Sequence, residues 1–175
     1  MFFEFFDRGT ASLAMCSTFF VLIPKVDGAK EMGKFRPIIL VSSLYKIISE
    51  VLAGRLKEVM GGVISGIQSA FIQGKAYDCV DWDFLFWVLL KEGFGDRCIL
   101  WMKGCTMESF FSILINGTSK GFFKAARGLR QGDSLSPFLF SLVADGLSAI
   151  IRKAEAANLM EGFVIGDDRV MVSHL

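Results

Sequence analysis

The chain has 175 residues, which is enough for one domain with a hydrophobic core and short for two. Hydrophobic residues make up 53% of it and charged residues 21%, a balance that excludes an intrinsically disordered protein. No apolar run reaches the roughly 18 residues that a membrane span needs, and the acidic first seven residues do not suit a signal peptide. We therefore expect an intracellular protein that is neither secreted nor inserted in a membrane.

Charge and cysteine content limit the kinds of site. There are 19 basic and 18 acidic residues, giving a net charge of +1, whereas an autonomous nucleic-acid-binding module usually has a clear basic excess. The four cysteines form no CxxC pair, and the one histidine, His174, is far from most of them. This spacing predicts reduced, packed cysteines without disulfides or zinc.

The first predicted elements are a hairpin and a helix. Residues 18–23 and 35–40 are apolar runs rich in strand-forming residues, and the segment between them is polar with two glycines, which is typical of a hairpin with a long loop. Ser42 or Ser43 can cap a helix with apolar residues at helical spacing, and Gly61-Gly62 is expected to end it.

Further helices and hairpins follow. Asp81 can cap a helix over residues 82–92, which Gly93 would stop, and another helix is expected over residues 97–107. Asn116-Gly117 predicts a tight turn between two strands, because these residue types tolerate positive φ. The remaining predicted elements are strands 110–115 and 121–124, a helix over 137–157, and a last hairpin with strands 162–165 and 170–172.

This order of elements predicts an α+β fold with helices packed on antiparallel hairpins. Two places in it could contact a ligand. Lys25 and Arg36 lie on opposite strands of the first hairpin, where a lysine and a forked guanidinium could grip phosphates or could simply be solvated. The loop at residues 127–136 combines Gln131 with Gly132, a glycine that lets backbone approach a ligand, and Ser136-Pro137 suits the start of the next helix.

Taken together, the motifs resemble a known family. The following segments recur in the same order in plant LINE-type (non-LTR) retrotransposon reverse transcriptases: FRPI, SLYKIISEVLAGRLKEVM, QSAFIQG, KAYDCVDW, SILINGTSKGFF and RGLRQGDSLSPFLFSLVADGLS. The resemblance implies a single partial domain of right-hand polymerase fold, fingers-like over about 17–70 and palm-like over about 75–175. For intact family members it implies an RNA template, a DNA primer, a deoxynucleoside triphosphate and Mg²⁺.

The resemblance also implies roles for individual residues. Lys25 and Arg36 correspond to phosphate contacts, and Gln131 with Gly132 to the contact with nucleotide and template. Tyr77 corresponds to the aromatic residue under the incoming sugar, which excludes a 2′-hydroxyl.

Two departures from the family pattern bear on activity. The family's metal-binding aspartate stands three residues before the lysine of KAYD, and that position holds Ile72; the helix and strand that normally separate QSAF from KAYD are missing. The family's Asp-Asp hairpin and thumb would follow Leu175, where the chain stops. We expect no catalytic or metal-binding residue here, because two-metal polymerases hold their ions with carboxylates from both places.

Other carboxylates are expected to have local roles. Asp78 and Asp133 suit capping or pairing within a loop, and Asp167-Asp168 suits an exposed turn that only imitates the catalytic hairpin. The preferred interpretation is a catalytically inactive reverse transcriptase relic. A weak nucleic-acid-binding remnant and a truncated gene model of an active enzyme stay open as alternatives.

Overall fold

Two antiparallel hairpins form the β-structure that precedes the long C-terminal helix. The computed structural model describes residues 2–10, 12–63, 75–130, 132–160, 163–165 and 170–172. Within them the strands are β1 (Ser17–Pro24), β2 (Phe35–Val41), β3 (Phe110–Ile115), β4 (Thr118–Lys124), β5 (Phe163–Ile165) and β6 (Val170–Val172). The predicted hairpins β1–β2, β3–β4 and β5–β6 are all confirmed as antiparallel pairs. At the tip of the second hairpin Asn116 and Gly117 have φ of 51° and 75°, as the Asn-Gly signal predicted.

The first two hairpins are joined into one sheet by a parallel pair. The strand order is β2-β1-β3-β4, and β1 runs parallel to β3 from Ser17 opposite Phe110 to Val21 opposite Leu114. The sheet is therefore mixed: its hairpins are antiparallel as predicted, whereas the parallel pairing of β1 with β3 was not predicted. Parallel neighbours are connected through a long crossover, here the 85 residues from 25 to 109, which include β2 and four helices, and no local sequence pattern reports such a pairing.

Helices make up most of the remaining described chain. They are α1 (Phe2–Arg8), α2 (Leu13–Cys16), α3 (Ser43–Val63), α4 (Lys75–Asp78), α5 (Trp82–Lys91), α6 (Asp96–Thr106) and α7 (Ser136–Ala156). Four of them were predicted to within a few residues, and α1, α2 and α4 were not predicted. None of the described helices is sufficiently long and apolar to cross a membrane.

Local signals at the helix ends explain most of these boundaries. Ser42 caps α3 by accepting a hydrogen bond from the backbone N–H of Tyr45 at 3.2 Å, and Asp81 caps α5 through the N–H of Phe84 at 2.9 Å. The predicted end of α3 at Gly61-Gly62 is wrong, because the helix continues to Val63. Met60, in the preceding turn, is buried, and this packing outweighs the weak helix preference of glycine.

A core of aliphatic side chains lies among the long helices, and its fully buried members include Ile48, Leu52, Leu56, Leu85, Leu89, Met102, Leu139 and Leu142. Helix α1 adds Phe5 to this core and lies against α6, where the indole Nε1 of Trp101 donates to the carbonyl of Phe6 at 3.0 Å. The backbones come so close at this crossing that a Cβ on Gly104 would collide with the carbonyl oxygen of Gly9.

The cysteines are free thiols with different surroundings. Cys16 and Cys105 are buried, Cys98 is half-buried and Cys79 is exposed. The prediction that the cysteines are packed is therefore wrong for Cys79, which lies in the turn after α4.

Candidate functional site

The loop before α7 is fixed to the protein by an inward-pointing arginine. Arg130 is only 7% exposed, and its guanidinium donates through Nε to the hydroxyl of Ser109 at 3.1 Å and through Nη2 to the carbonyl of Cys16 at 3.0 Å. The same guanidinium lies on the ring of Tyr45, with 3.9 Å between Cζ and the ring centroid. Arg130 therefore ties the loop to α3 and to the residues that directly precede β1 and β3.

Asp133 fixes the other end of the loop. One carboxylate oxygen accepts the hydroxyl of Tyr45 at 2.7 Å, and the other accepts the backbone N–H groups of Leu135 and Ser136 at the start of α7. The predicted capping role of Asp133 is confirmed. Burial, and secondarily the charge of Asp133, hold the pKa of Tyr45 well above its ordinary value, so the phenol stays protonated and donates.

Tyr45 and Arg130 were both missed by the sequence analysis. They are 85 positions apart and neither lies in a recognisable pairing pattern. The one available signal was the presence of an arginine beside Gln131, but a loop arginine is more often exposed than buried.

The backbone of the loop is bonded to the segment around α4. The N–H groups of Gly128 and Leu129 donate to the carbonyls of Val80 and Tyr77, both at 2.8 Å. The indole of Trp82 donates to the carbonyl of Gly128, also at 2.8 Å. Gly128 has a φ of +88°, and a Cβ there would lie 3.1 Å from Asp78, so only glycine suits this crossing. The KAYD and RGLRQG motifs, about 50 residues apart, are thereby brought side by side.

Three of the residues expected to contact nucleotide, Tyr77, Gly132 and Arg36, are among the described residues. Tyr77 is half-buried, and its ring stacks on Phe140 of α7 with centroids 4.8 Å apart and an interplanar angle of 21°. Gly132 is exposed with a φ of +81°, and a Cβ there would meet no atom within 4 Å. Arg36 is an exposed residue of β2, opposite Ile23.

Lys25 and Gln131 complete the expected set. Lys25 follows the last residue of β1 instead of lying on the strand, although its N–H still pairs with the carbonyl of Lys34 at 2.8 Å. Its ammonium donates to the carbonyl of Gly33 at 2.9 Å. Gln131 lies outside the described residues, so its place relative to these cations stays a prediction.

A small cavity lies behind the loop, between Tyr45, Arg130, Asp133 and Ser136, with a volume of about 10 Å³. The Nη1 atom of Arg130 has no hydrogen-bond partner among the described residues. The cavity has room for about one water molecule and is too small for a nucleotide.

Comparison with known proteins identifies the family. Residues 73–172, more than half of the chain, match the family described as reverse transcriptase (RNA-dependent DNA polymerase). The chain belongs to this family, and with it to the reverse transcriptase type of polymerase fold. The expectation drawn from the sequence motifs is thus confirmed at the level of the family.

The similar proteins come from retrotransposons of the non-LTR kind and from a plant mitochondrion. The chain is 26% identical to the uncharacterized 149 kDa protein of transposon TX1 from Xenopus laevis, over 86% of this chain and 14% of that protein. It is 24% identical to the Pol polyprotein of the type-1 retrotransposable element R2 from Popillia japonica, over 86% of this chain and 25% of that protein. An uncharacterized mitochondrial protein of Arabidopsis thaliana is 36% identical over 66 residues, which are 38% of this chain and 54% of that protein. The chain thus spans a quarter or less of the two transposon proteins.

Family members generally use Mg²⁺, but the described donor groups do not fit such a site. Asp133 is held by Tyr45 and the first N–H groups of α7, and Asp81 caps α5. Within the described ranges no three His, Cys, Asp or Glu side chains are grouped as a metal site would require. Ile72, Asp167 and Asp168 lie outside those ranges, so the prediction that Asp167-Asp168 forms an exposed turn stays a prediction.

Proposed function

We propose that this chain is a partial reverse transcriptase domain of a plant non-LTR retrotransposon and that it does not polymerise by itself. In this proposal residues 17–70 are fingers-like and residues 75–175 are palm-like. The intact relatives would act on an RNA template, a DNA primer and deoxynucleoside triphosphates, and this chain would bind nucleic acid weakly or not at all.

The observation that carries the proposal is a length mismatch with the relatives. The alignments to the TX1 and Popillia R2 proteins extend over 182 positions but include 86% of this chain, which is about 150 residues. About 30 positions of each relative therefore have no counterpart here. The match to the reverse transcriptase family begins at residue 73, directly after Ile72, which favours an internal deletion ending at about that point.

The position of the proposed deletion matters because it adjoins one of the family's metal-binding carboxylate positions. Two-metal polymerases activate the primer hydroxyl and stabilise the leaving group with ions about 3.5–4 Å apart, held by carboxylates. The family resemblance puts an apolar side chain, Ile72, at the first of these carboxylate positions. Asp133 and Asp81 cannot replace it, since both are engaged in capping helices.

The rest of the nucleotide site is retained in this proposal. The bond between Leu129 and Tyr77 keeps the tyrosine next to the loop that carries Gln131 and Gly132. Tyr77 stacked on Phe140 is suitably fixed to support a sugar, and the exposed Arg36 and Lys25 are available to phosphates. Such groups can bind and orient a nucleotide, but they cannot hold the ions that the reaction needs.

A primer-extension assay tests the proposal. The purified chain, given an RNA template, a labelled DNA primer, nucleotides and Mg²⁺ or Mn²⁺, should add no nucleotide above a heat-denatured control. The Ile72→Asp variant should be equally inactive, because a single carboxylate cannot hold the two ions that the reaction needs. A template-dependent product that EDTA abolishes would contradict the proposal. A transcript that encodes additional residues between Phe71 and Lys75 would favour the truncated gene model instead.

A further inference from the structure

The two asparagines of the chain have similar backbone conformations but different surroundings. Both Asn116 and Asn158 are exposed, and their φ angles are 51° and 55°. Within the described part of the chain they are the two residues other than glycine with positive φ. Asparagine tolerates this left-handed region better than most residues do. Any difference in the chemistry of the two side chains must therefore come from the residue and the hydrogen bonds that follow each of them.

The backbone after Asn158 is fixed by the end of helix α7. The N–H of Asn158 donates to the carbonyl of Glu155, and the N–H of Leu159 donates to the carbonyl of Ala154, both at 2.9 Å. These two bonds form the Schellman motif, which ends a helix at a residue in the left-handed conformation. The nitrogen of Leu159 is therefore engaged in a hydrogen bond, and its isobutyl side chain hinders access to it.

The backbone nitrogen after Asn116 is more accessible. Asn116 and Gly117 form the two-residue turn of the β3–β4 hairpin, which the pairing of Ile115 with Thr118 closes. The N–H of Gly117 is hydrogen-bonded to no described group, and Gly117 is exposed. A Cβ built on Gly117 would meet no atom within 4 Å. The Gly117 nitrogen thus lies in open space directly after the carboxamide of Asn116.

This arrangement favours a reaction between the two groups. Asparagine is chemically labile because its carboxamide carbon can be attacked by the backbone nitrogen of the next residue. The attack requires that nitrogen to be uncovered and the peptide unit to rotate, and glycine restricts this rotation least. The turn is at the exposed tip of a hairpin, where local opening costs little compared with unfolding of the whole chain.

We propose that the fold selects Asn116 as a self-modification site, at which asparagine becomes aspartate or isoaspartate without an enzyme. The Gly117 nitrogen attacks Cγ of Asn116, and the new N–Cγ bond closes a succinimide ring. The side-chain nitrogen leaves as ammonia and takes the proton of the Gly117 amide with it. Water then opens the ring. Cleavage of the N–Cγ bond gives aspartate, whereas cleavage of the original peptide bond gives isoaspartate, whose main chain runs through Cβ and Cγ.

The isoaspartate product would alter the hairpin where its register is set. A two-residue turn fixes which residues of the two strands pair, and isoaspartate adds one carbon atom to the main chain of this turn. Every residue of β4 is exposed, and in the four-stranded sheet β4 pairs with β3 alone. We therefore expect isoaspartate to loosen β4 from the sheet and to leave the helical core unchanged.

The test follows both asparagines in one sample of the folded, full chain. The chain is incubated at neutral and at mildly alkaline pH, and peptide mapping by mass spectrometry gives the fractions of aspartate and isoaspartate at each position. Asn116 should react at least about ten-fold faster than Asn158, a barrier difference of about 1.4 kcal/mol. Its rate should rise with pH, because the attacking nitrogen must lose its proton. Methylation by an isoaspartate-specific carboxyl methyltransferase provides a second readout.

A matched variant separates the effect of the fold from that of the following side chain. Leu159→Gly gives both asparagines the same following residue but keeps the backbone bond to Ala154. In the folded variant Asn158 should still react slowly, whereas in urea it should react as fast as Asn116. Circular dichroism confirms that the variant folds, and the comparison of Asn116 with Asn158 in the wild type remains decisive if it does not.

Hydrogen exchange measures the consequence for the hairpin. Aged chain that contains isoaspartate should exchange faster than fresh chain in β4 and equally in α5. Freshly purified Asn116→Asp, which has the charge of the aspartate product and a normal main chain, should exchange in β4 like the fresh wild type.

Three outcomes would overturn the proposal: equal rates at the two asparagines of the folded wild type, reaction of Asn116 in urea but not in the folded chain, or rapid reaction of Asn158 in folded Leu159→Gly. The result is independent of primer extension, because Asn116 has no part in the proposed nucleotide site. Polymerisation by the chain would refute the inactive remnant and leave the self-modification site unaffected.

Discussion

The guanidinium of Arg130 lies on the ring of Tyr45, 3.9 Å from its centroid, while the hydroxyl of the same tyrosine donates to Asp133 at 2.7 Å. One side chain of α3 thus contacts residues on both sides of Gln131-Gly132. Tyr45 makes these contacts on the buried side of the loop. Their contribution to the free energy of unfolding can therefore be measured without a ligand.

Removing the hydroxyl of Tyr45 should weaken the fold. Tyr45→Phe leaves the ring under Arg130 but removes one donor from the carboxylate of Asp133, so we expect the free energy of unfolding to fall by about 1–2 kcal/mol. Urea denaturation followed by tryptophan fluorescence measures it. The control is Tyr77→Phe, because the hydroxyl of Tyr77 has no hydrogen bond to a described residue. Equal losses in the two variants would argue against the Tyr45–Asp133 bond as the cause.

Arg130 should not be replaceable by lysine. A lysine ammonium cannot reach both the hydroxyl of Ser109 and the carbonyl of Cys16 in the geometry of the guanidinium fork, and one buried acceptor would lose its partner. Arg130→Lys is expected to lower the free energy of unfolding by about 1–3 kcal/mol. Arg127→Lys, an exposed change in the same loop, should have little effect. If the thermal melts of the two variants coincide, the hydrogen bonds of the Arg130 guanidinium do not contribute to stability.

Replacing either of two helical glycines with alanine should change the free energy of unfolding, but in opposite directions. Gly104→Ala puts a Cβ into the carbonyl of Gly9 and within 2.9 Å of the ring of Phe5, so α1 must shift from α6 at a cost of about 1–3 kcal/mol. Gly54→Ala in α3 meets no atom within 4 Å and should stabilise by about 0.5–1 kcal/mol through helix preference. Denaturation midpoints of the two variants provide the comparison. A stabilised Gly104→Ala would show that α1 does not pack as described.

Cys16 should make the fold less stable at high pH. Burial raises the pKa of this thiol from its ordinary value of 9.0 to about 11, although the nearby Arg130 opposes the shift. The unfolded chain therefore releases this proton first. The stabilisation is fully present below pH 9 and is lost as the pH rises from about 9 through about 11. Cys16→Ala should flatten this part of the stability profile, whereas Cys79→Ala, at an exposed position, should not. Identical profiles for the wild type and Cys16→Ala would exclude the thiol as the source.

Much of the fold could be read from local patterns. The hairpin at Asn116-Gly117, the Asp81 cap and the four long helices depend on interactions between residues close in sequence, which periodicity and capping signals report directly. The short helix α4 was missed because four residues are too few to show a period. The end of α3 was wrongly placed because burial of Met60 overrides the preference of Gly61.

The candidate site was predictable only in part. The motifs indicated Tyr77, Gln131 and Gly132 through family resemblance, but nothing in the sequence indicated that Tyr45 and Arg130 support their loop. Side chains 85 positions apart meet only when the helices between them have packed, and no pattern along the chain records that contact.

The sequence by itself thus determined the family and the local elements, and it predicts Ile72 at the position of the family's aspartate, because each of these depends on residue identity and near neighbours. Only the tertiary structure decided that β1 pairs in parallel with β3, that Arg130 points inward and that Tyr45 contacts both Arg130 and Asp133. These features arise from contacts between distant segments, whose geometry depends on the packing of the helices that connect them.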